Sequence, residues 1–259
     1  MILALLAVGA IGGLLAGLFG VGGGIVMVPL LLWLTRMDQR HAAATSLVAI
    51  VPTAIAGSIF YGIGGQVDWL AALFVGAGTI VGAPIGAWLL RSLPLAWLRW
   101  LFIVGLLAAA VYLILVTPER GSSLDLEPLV MLGLVGLGLV MGLAAGMFGI
   151  GGGIIAVPVL IALFGMGDLL AKGTSLLAMI PAAVSGTIPN LRAGLVRLRD
   201  GLVVGVAAVA ASGAGVSLAF IIPPSVSSVL FGMLLVAVVA QLSVRAVRLE
   251  AREKRDREE

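Results

Sequence analysis

The sequence predicts an all-α, polytopic membrane protein. Of its 259 residues, 61% are hydrophobic and only 10% are charged, and the mean hydropathy is +1.24. Soluble domains are about 25% charged, so a soluble fold of this size could not cover its surface with so few charges. Disorder is excluded as well, because it requires low hydrophobicity. The net charge of only +3 argues against a nucleic-acid-binding face.

Apolar runs with at most one charged residue predict the membrane spans, since a transmembrane helix needs about 20 mostly apolar residues. The runs are 2–19, 42–62, 69–90, 95–116, 128–148, 171–189, 201–222 and 225–247. Two further runs, 23–35 and 152–166, are too short to cross a hydrocarbon core of about 30 Å unaided. They predict broken or re-entrant short helices, which are tolerated where protein buries them or where they line a polar cavity. Crossing and re-entry both stay open for these two segments.

An internal duplication organises the chain. With a shift of 129 residues, positions 9–67 share 27 identities in 59 with positions 138–196, without a gap. The best-matched stretches are Gly17–Pro29 and Gly146–Pro158. Composition alone does not explain this agreement. The predicted organisation is a first transmembrane repeat (1–117), a linker (118–127), a second repeat (128–247) and a charged cytoplasmic tail (248–259).

Each repeat opens with glycines at every fourth position. Such small-xxx-small stripes let membrane helices approach closely. The stripes predict helix-packing faces at Gly9, Gly13, Gly17, Gly138, Gly142 and Gly146.

The distribution of Lys and Arg predicts the orientation, because cytoplasmic loops carry the excess. If each long-plus-short pair returns the chain to its starting side, 13 of the 15 basic residues fall on one side. If the first long-plus-short pair still returns but the pair in the second repeat crosses only once, the basic residues divide 5 against 10. The first arrangement fits better and places both termini in the cytoplasm with the halves inverted. Inverted repeats are typical of secondary transporters, whose sites lie at the midplane between the halves.

The duplicated glycine runs are the first candidate site. They lack the second gap of a dinucleotide fingerprint and the lysine of a phosphate-binding loop, which argues against nucleotide binding. One interpretation is close helix packing or a bend. The other is an unwound point in the membrane where N–H groups at a half-helix N-terminus hold an anion, and the second copy favours it. The candidate residues are Gly22, Gly23, Gly24, Gly151, Gly152 and Gly153.

The repeated hydroxyl pairs are the second candidate. They are Thr45 with Ser46 and Thr174 with Ser175. Their hydroxyls could simply bond to carbonyls of their own helices. Alternatively, all four converge near the pseudo-axis beside the glycine turns and replace the hydration water of a small solute. The sequence leaves both interpretations open.

Other polar residues give weaker signals. Asn190 and Arg192 stand at the end of a predicted span. Placing an Arg at the bilayer centre costs about 2.5–3.5 kcal/mol. Arg192 is therefore expected at the membrane interface, where it could attract anions. Snorkelling at span ends is the expected behaviour of Asp68, Arg91, Arg99 and Lys172. With one His and no Cys, no catalytic or metal-ligating constellation is found, and the prediction is that the chain is not an enzyme.

The paired pattern G-x-F-G-x-G-G-G-x-x-x-V-P, followed by T-S-L, resembles the sulfite exporter TauE/SafE family. The resemblance covers both halves. It implies a multi-pass permease or exporter of the cell membrane for small anions such as sulfite or sulfoacetate, without a prosthetic group; the direction of transport stays open. The expected partners are the anion, a coupling proton or sodium ion and the lipid bilayer, with homo-oligomerisation left open. An anion channel would need a lined aqueous path, and an assembly protein would need no polar midplane; both remain alternatives.

Overall fold

The described part of the chain consists of helices and the turns that join them. In this computed structural model the described residues are 2–35, 37–92, 127–258 and isolated positions between 100 and 115. The helices are α1 (Ile2–Phe19), α2 (Gly24–Leu34), α3 (Gln39–Ile63), α4 (Trp69–Ser92), α5 (Pro128–Phe148), α6 (Gly153–Ala162), α7 (Asp168–Arg192), α8 (Leu198–Ile221) and α9 (Pro224–Glu258). These residues include no strand, which confirms the predicted all-α class.

Seven of these helices are long and apolar enough to cross a membrane, namely α1, α3, α4, α5, α7, α8 and the first 21 residues of α9. The protein is therefore a multi-pass membrane protein. The predicted span 95–116 lies outside the described residues except for isolated positions. Helix α7 begins three residues before the predicted run 171–189, because that run leaves out the charged Asp168. The predicted tail continues α9 as helix up to Glu258.

The elements repeat with the shift seen in the sequence. Helices α3 and α7 differ by 129 residues at both ends, and so do α4 and α8. The positive φ angles of the glycine runs repeat in the same way, at Gly20, Gly22, Gly23, Gly149, Gly151 and Gly152. The boundaries of the two repeats and of the linker stay predictions.

The two halves interlock through the glycine stripes. Helix α1 packs along α8, where a Cβ on Gly9 would lie 2.2 Å from the carbonyl oxygen of Val204 and one on Gly17 would lie 2.3 Å from that of Ser212. Residue numbers increase together, so α1 and α8 are parallel. The equivalent glycines of α5, at 138, 142 and 146, meet the backbone of α4 in the same manner. The predicted packing role of both stripes is confirmed.

Helices α3 and α7 cross the centre in opposite directions. Leu176 contacts Gly57, and its repeat equivalent Leu47 contacts Gly186. Helix α3 is parallel to α8, because Gly201 meets Thr45 at one end and Gly213 meets Phe60 at the other. Thus α1, α3 and α8 run one way. Since α1 and α3 are parallel, the pair α1–α2 brings the chain back to the side on which it began.

Candidate functional site

The two glycine runs contact each other at the centre of the molecule. We call residues 20–24 the first glycine turn, residues 149–153 the second, and their region of contact the crossing. A Cβ on Gly24 would lie 2.7 Å from the carbonyl oxygen of Gly149, and one on Gly153 would lie 2.7 Å from that of Gly20. The beginning of each turn therefore meets the end of the other. The turns pass antiparallel with no room for a side chain at these two positions.

Both short helices begin in the crossing. The residues preceding α2 and α6 are Gly23 and Gly152, with φ of 73° and 78°, and neither helix has a side-chain cap. A left-handed φ favours glycine because it has no Cβ. The first N–H groups of a helix have no partner within that helix, and the helix dipole places about half a positive charge there. Each helix N-terminus thus lies against the start of the other half's glycine turn, so the crossing has one positive helix end at each of its ends, an arrangement suited to an anion.

Two apolar side chains fill the centre of the crossing. The Cε methyl of Met179 would be 2.0 Å from a Cβ on Gly22 and 2.2 Å from one on Gly151. Its repeat equivalent, Ile50, lies against Gly151 and Gly24. Both side chains are fully buried. Sequence reasoning missed them, because apolar residues in a membrane span give no signal; their equivalence in the repeat was the available clue.

The serine hydroxyls connect each half to the glycine turn of the other. Ser46 Oγ donates to the carbonyl oxygen of Gly149 at 2.5 Å and lies 2.8 Å from that of Ala43 in its own helix. Ser175 Oγ donates to the carbonyl oxygen of Gly20 at 3.1 Å. Gly20 and Gly149 are at opposite ends of the crossing, so the two serines are too.

The threonine hydroxyls make a second pair of equivalent contacts. Thr174 Oγ1 accepts a hydrogen bond from the backbone N–H of Asp68 at 2.9 Å, and Thr45 Oγ1 accepts one from that of Arg197 at 3.3 Å. Both threonines are fully buried. The structure therefore divides the four hydroxyls into two groups, one at each end of the crossing. Their part in binding a solute stays a prediction.

Asn190 and Arg192 lie away from the crossing. Asn190 is buried about three helical turns beyond Met179, and its Nδ2 donates to the carbonyl oxygen of Gly186 at 3.0 Å. Its Oδ1 has no hydrogen-bond partner among the described residues. Arg192 is exposed in the last turn of α7. The structure thus separates this pair from the glycine turns.

Lys172 does not snorkel, contrary to the sequence expectation. Its side chain is 3% exposed and that of Asp168 is 2% exposed. The two charged groups are 3.4 Å apart, and Lys172 Nζ donates to Ser227 Oγ at 2.7 Å. The spacing of four residues on one helix was the missed signal, because an acid and a base so placed can pair. Across the described residues, no three His, Asp or Glu side chains group as metal ligands would.

Comparison with known proteins relates the chain to one protein family. The model of the sulfite exporter TauE/SafE family matches residues 1–113 and 134–259. A probable membrane transporter protein of Xylella fastidiosa (strain Temecula1) is 30% identical over 237 residues, which cover 89% of this chain and 90% of that protein. The probable membrane transporter protein YunE of Bacillus subtilis is 26% identical over 73% of this chain and 78% of its own length. A probable membrane transporter protein of Haemophilus influenzae is 29% identical over 74% of this chain and 75% of its own length. No solved structure gives a significant match.

Proposed function

Because the chain belongs to the sulfite exporter TauE/SafE family of membrane transporters, we propose that it is a secondary carrier of small anions. Sulfur-containing or organic acids such as sulfite and sulfoacetate are the proposed substrates. We place the carrier in the cell membrane, with both termini in the cytoplasm and the two halves inverted. The observation that carries this proposal is the crossing between the halves, where the N-terminus of each short helix, α2 or α6, meets the glycine turn of the other half.

Partial charges suit a carrier, which must release what it binds. The helix N-termini supply about half a unit of charge each, and they are fixed in place by the contacts of the turns. The side chains at the centre are the uncharged Ile50 and Met179. An anion held there would exchange hydration water for backbone N–H groups without meeting a permanent cation. Such binding favours both capture and release.

The closed crossing supports a carrier over an open channel. Met179 occupies the space between the two turns, so an anion could enter only after this side chain moves. Methionine is suited to such a movement, since it has three rotatable bonds and adapts to irregular spaces. A carrier opens to one side of the membrane at a time, so its transport rate saturates with anion concentration. Flux through a permanently open pore continues to rise with concentration.

Anion flux into proteoliposomes tests the proposal. We expect the wild-type protein to take up sulfoacetate with a saturable rate, and Gly22→Ala to reduce that rate at least tenfold, because the added methyl group meets Met179 at the crossing. Gly65→Ala is the matched control. Gly65 has nearly the same φ, +68° against +71°, but a Cβ there has no neighbour within 4 Å.

Three outcomes would contradict the proposal. If the wild type takes up neither sulfite nor sulfoacetate, these two anions are excluded as substrates. Uptake that never saturates would indicate a channel. Equal rates for the Gly22→Ala and Gly65→Ala variants would mean that the crossing is a packing element and that the anion passes elsewhere.

A further inference from the structure

We propose that a cleft beside the crossing is a binding subsite for the transported anion, which the side-chain amides of Gln39 and Gln241 hold there. In this proposal, which rests on the anion-carrier function above, the anion occupies the cleft before it reaches the glycine turns. The cleft lies between α2, the start of α3, the second glycine turn and α9. The space open to the centres of water molecules is about 40 Å³. A single water needs about 10–15 Å³ on this measure, so the cleft has room for one sulfite or sulfonate group.

The inner end of the cleft is the crossing itself. Ile25 and Ile150 line the cleft, and they are only 3% and 7% exposed. Ile25 directly follows Gly24, and Ile150 directly follows Gly149. These two glycines are in contact, since a Cβ on Gly24 would lie 2.7 Å from the carbonyl oxygen of Gly149. An anion in the cleft is therefore next to the place where the start of α2 meets the second glycine turn.

Gln39 lies at the outer end of the cleft. It is the first residue of α3 and is exposed. Because α1 and α3 are parallel, this end lies on the side on which the chain begins, which the proposed orientation places in the cytoplasm. The carboxylate next to it belongs to Asp38, the N-cap of α3. This group accepts the backbone N–H of His41 at 2.9 Å, and its other oxygen lies 2.6 Å from His41 Nδ1. An arriving anion therefore meets a neutral amide beside an acid that is already engaged.

Helix α9 brings the second amide to the same cleft. Near the start of α9, the ring of Phe231 stacks on Phe19 at the Gly20 end of the crossing, with centroids 5.2 Å apart. Gln241 follows about three turns later and lines the cleft at the Gly149 end. It is the only polar side chain between residues 229 and 242. Polar groups within a membrane span ordinarily face the protein interior or a water-filled cavity and mark the path of a solute.

Two amides suit an anion that must leave again. Each amide offers two N–H donors and carries no charge, so it binds the oxygen atoms of an anion without a permanent cation. The wall between the amides is apolar and includes Val28, Val238 and Leu242. An apolar wall keeps water away and strengthens the hydrogen bonds that the amides make. The cleft thus combines recognition of an anion with weak enough binding for release.

The second half of the chain shows that the fold does not require these amides. With the repeat shift, the equivalent of Gln39 is Asp168 and that of Gln241 is Tyr112. Helix α7 nevertheless has the same length as α3 and makes the equivalent serine contact to a glycine turn. The pair of amides is therefore a property of one side of the molecule, and substitutions at both positions should leave the fold intact.

Protection of an introduced cysteine tests whether an anion occupies the cleft. The chain has no cysteine, so single cysteines can be labelled without background. Val238→Cys places one in the wall of the cleft. Val247→Cys places another on α9 beyond its apolar span, where the side chain is exposed. A small thiol reagent that carries a sulfonate should label both variants of the detergent-solubilised full chain, and sulfoacetate should slow the labelling of Val238→Cys alone.

Variants of the amides then test what holds the anion. In the Val238→Cys protein, Gln39→Leu with Gln241→Leu should raise the sulfoacetate concentration that halves labelling at least tenfold, because hydrogen bonds to a charged group are lost. Gln39→Glu should raise it too, by repulsion, but should keep or raise the thermal midpoint, since an acid in the first turn of a helix favours the helix dipole. Arg40→Gln is the matched control. It lowers the charge of the same turn by the same amount outside the cleft, and exposed charges are largely screened at physiological ionic strength, so protection should be unchanged.

The outcomes separate this inference from the proposed function. Protection of both cysteines or of neither, or no labelling of Val238→Cys, would overturn the subsite, and saturable uptake by the wild type would leave the carrier standing. Equal shifts for Gln39→Glu and Arg40→Gln would assign the effect to the charge of the turn and overturn the role of the amides. Protection of Val238→Cys alone, with no uptake by the wild type, would keep the binding cleft and overturn the carrier.

Discussion

The glycines of the two turns differ in what a side chain would meet. A Cβ on Gly23 would lie 2.3 Å from the carbonyl oxygen of Gly12, which belongs to the backbone of α1 and cannot move without separating α1 from α2. A Cβ on Gly22 meets the end of the flexible Met179 side chain instead. The packing interpretation and the anion-binding interpretation of the glycine run can therefore apply to different glycines of the same turn. Gly23 is required for packing, whereas Gly22 is the position where a substitution reports on the crossing.

The serine contacts predict an effect on stability at the residue scale. Ser46→Ala combined with Ser175→Ala leaves the buried carbonyl oxygens of Gly149 and Gly20 without these donors. We expect the free energy of unfolding to fall by about 1–3 kcal/mol for each serine. Denaturation of the detergent-solubilised protein measures it. Thr53→Val is the control, because the Thr53 hydroxyl donates only to Ala49 in its own helix among the contacts described.

The opposite result would also be informative. An unchanged free energy of unfolding together with at least tenfold weaker sulfoacetate binding would assign these hydroxyls to the anion, as one interpretation of the sequence has it. Our expectation of a structural tie between the halves would then be wrong.

At the scale of elements, length and repetition made the short helices predictable. The runs 23–35 and 152–166 were too short to span, and the structure has α2 and α6 within them. The start of α7 was not predictable from a search for apolar runs, because the pairing of Asp168 with Lys172 lowers the cost of burying a charge that such a search assumes. The partners of Thr45 and Thr174 could not be predicted either. They depend on which loop of the other half lies opposite, and the sequence of one helix carries no information on that.

The glycine stripes predict a difference between two valine substitutions. Gly13→Val places a side chain where a Cβ would be 2.1 Å from the carbonyl oxygen of Ala208, so α1 and α8 must separate. Overpacking of this kind costs about 1–3 kcal/mol and sometimes more. Gly136→Val in α5 adds the same side chain where no atom lies within 4 Å of a Cβ. We expect a lower thermal midpoint for Gly13→Val alone; equal midpoints would contradict the stripe as the contact between halves.

At the scale of the whole molecule, two independent arguments favour inversion of the halves. The division of Lys and Arg concerns only the loops, whereas the helix directions follow from contacts between buried residues. Those contacts make α3 antiparallel to α7, its equivalent in the other half. The contacts of the glycine stripes place the first helix of each half against the fourth helix of the other half, α1 against α8 and α5 against α4. Movement of one half therefore requires sliding along the α1–α8 and α4–α5 faces, and both glycine turns lie between these faces.

Inversion predicts that two equivalent loop positions face opposite sides of the membrane. Gly65 and Gly194 are separated by the repeat shift, have φ of 68° and 70°, and are exposed with no atom within 4 Å of a Cβ. The chain has no cysteine, so Gly65→Cys and Gly194→Cys can be labelled without background. A left-handed φ costs a side chain about 1–2 kcal/mol, and this cost is equal at both sites. With the N-terminus in the cytoplasm, a membrane-impermeant thiol reagent should label Gly65→Cys in intact cells and Gly194→Cys only after permeabilisation. Labelling of both from the same side would contradict inversion, and a reversed pattern would keep the inversion but place the termini outside.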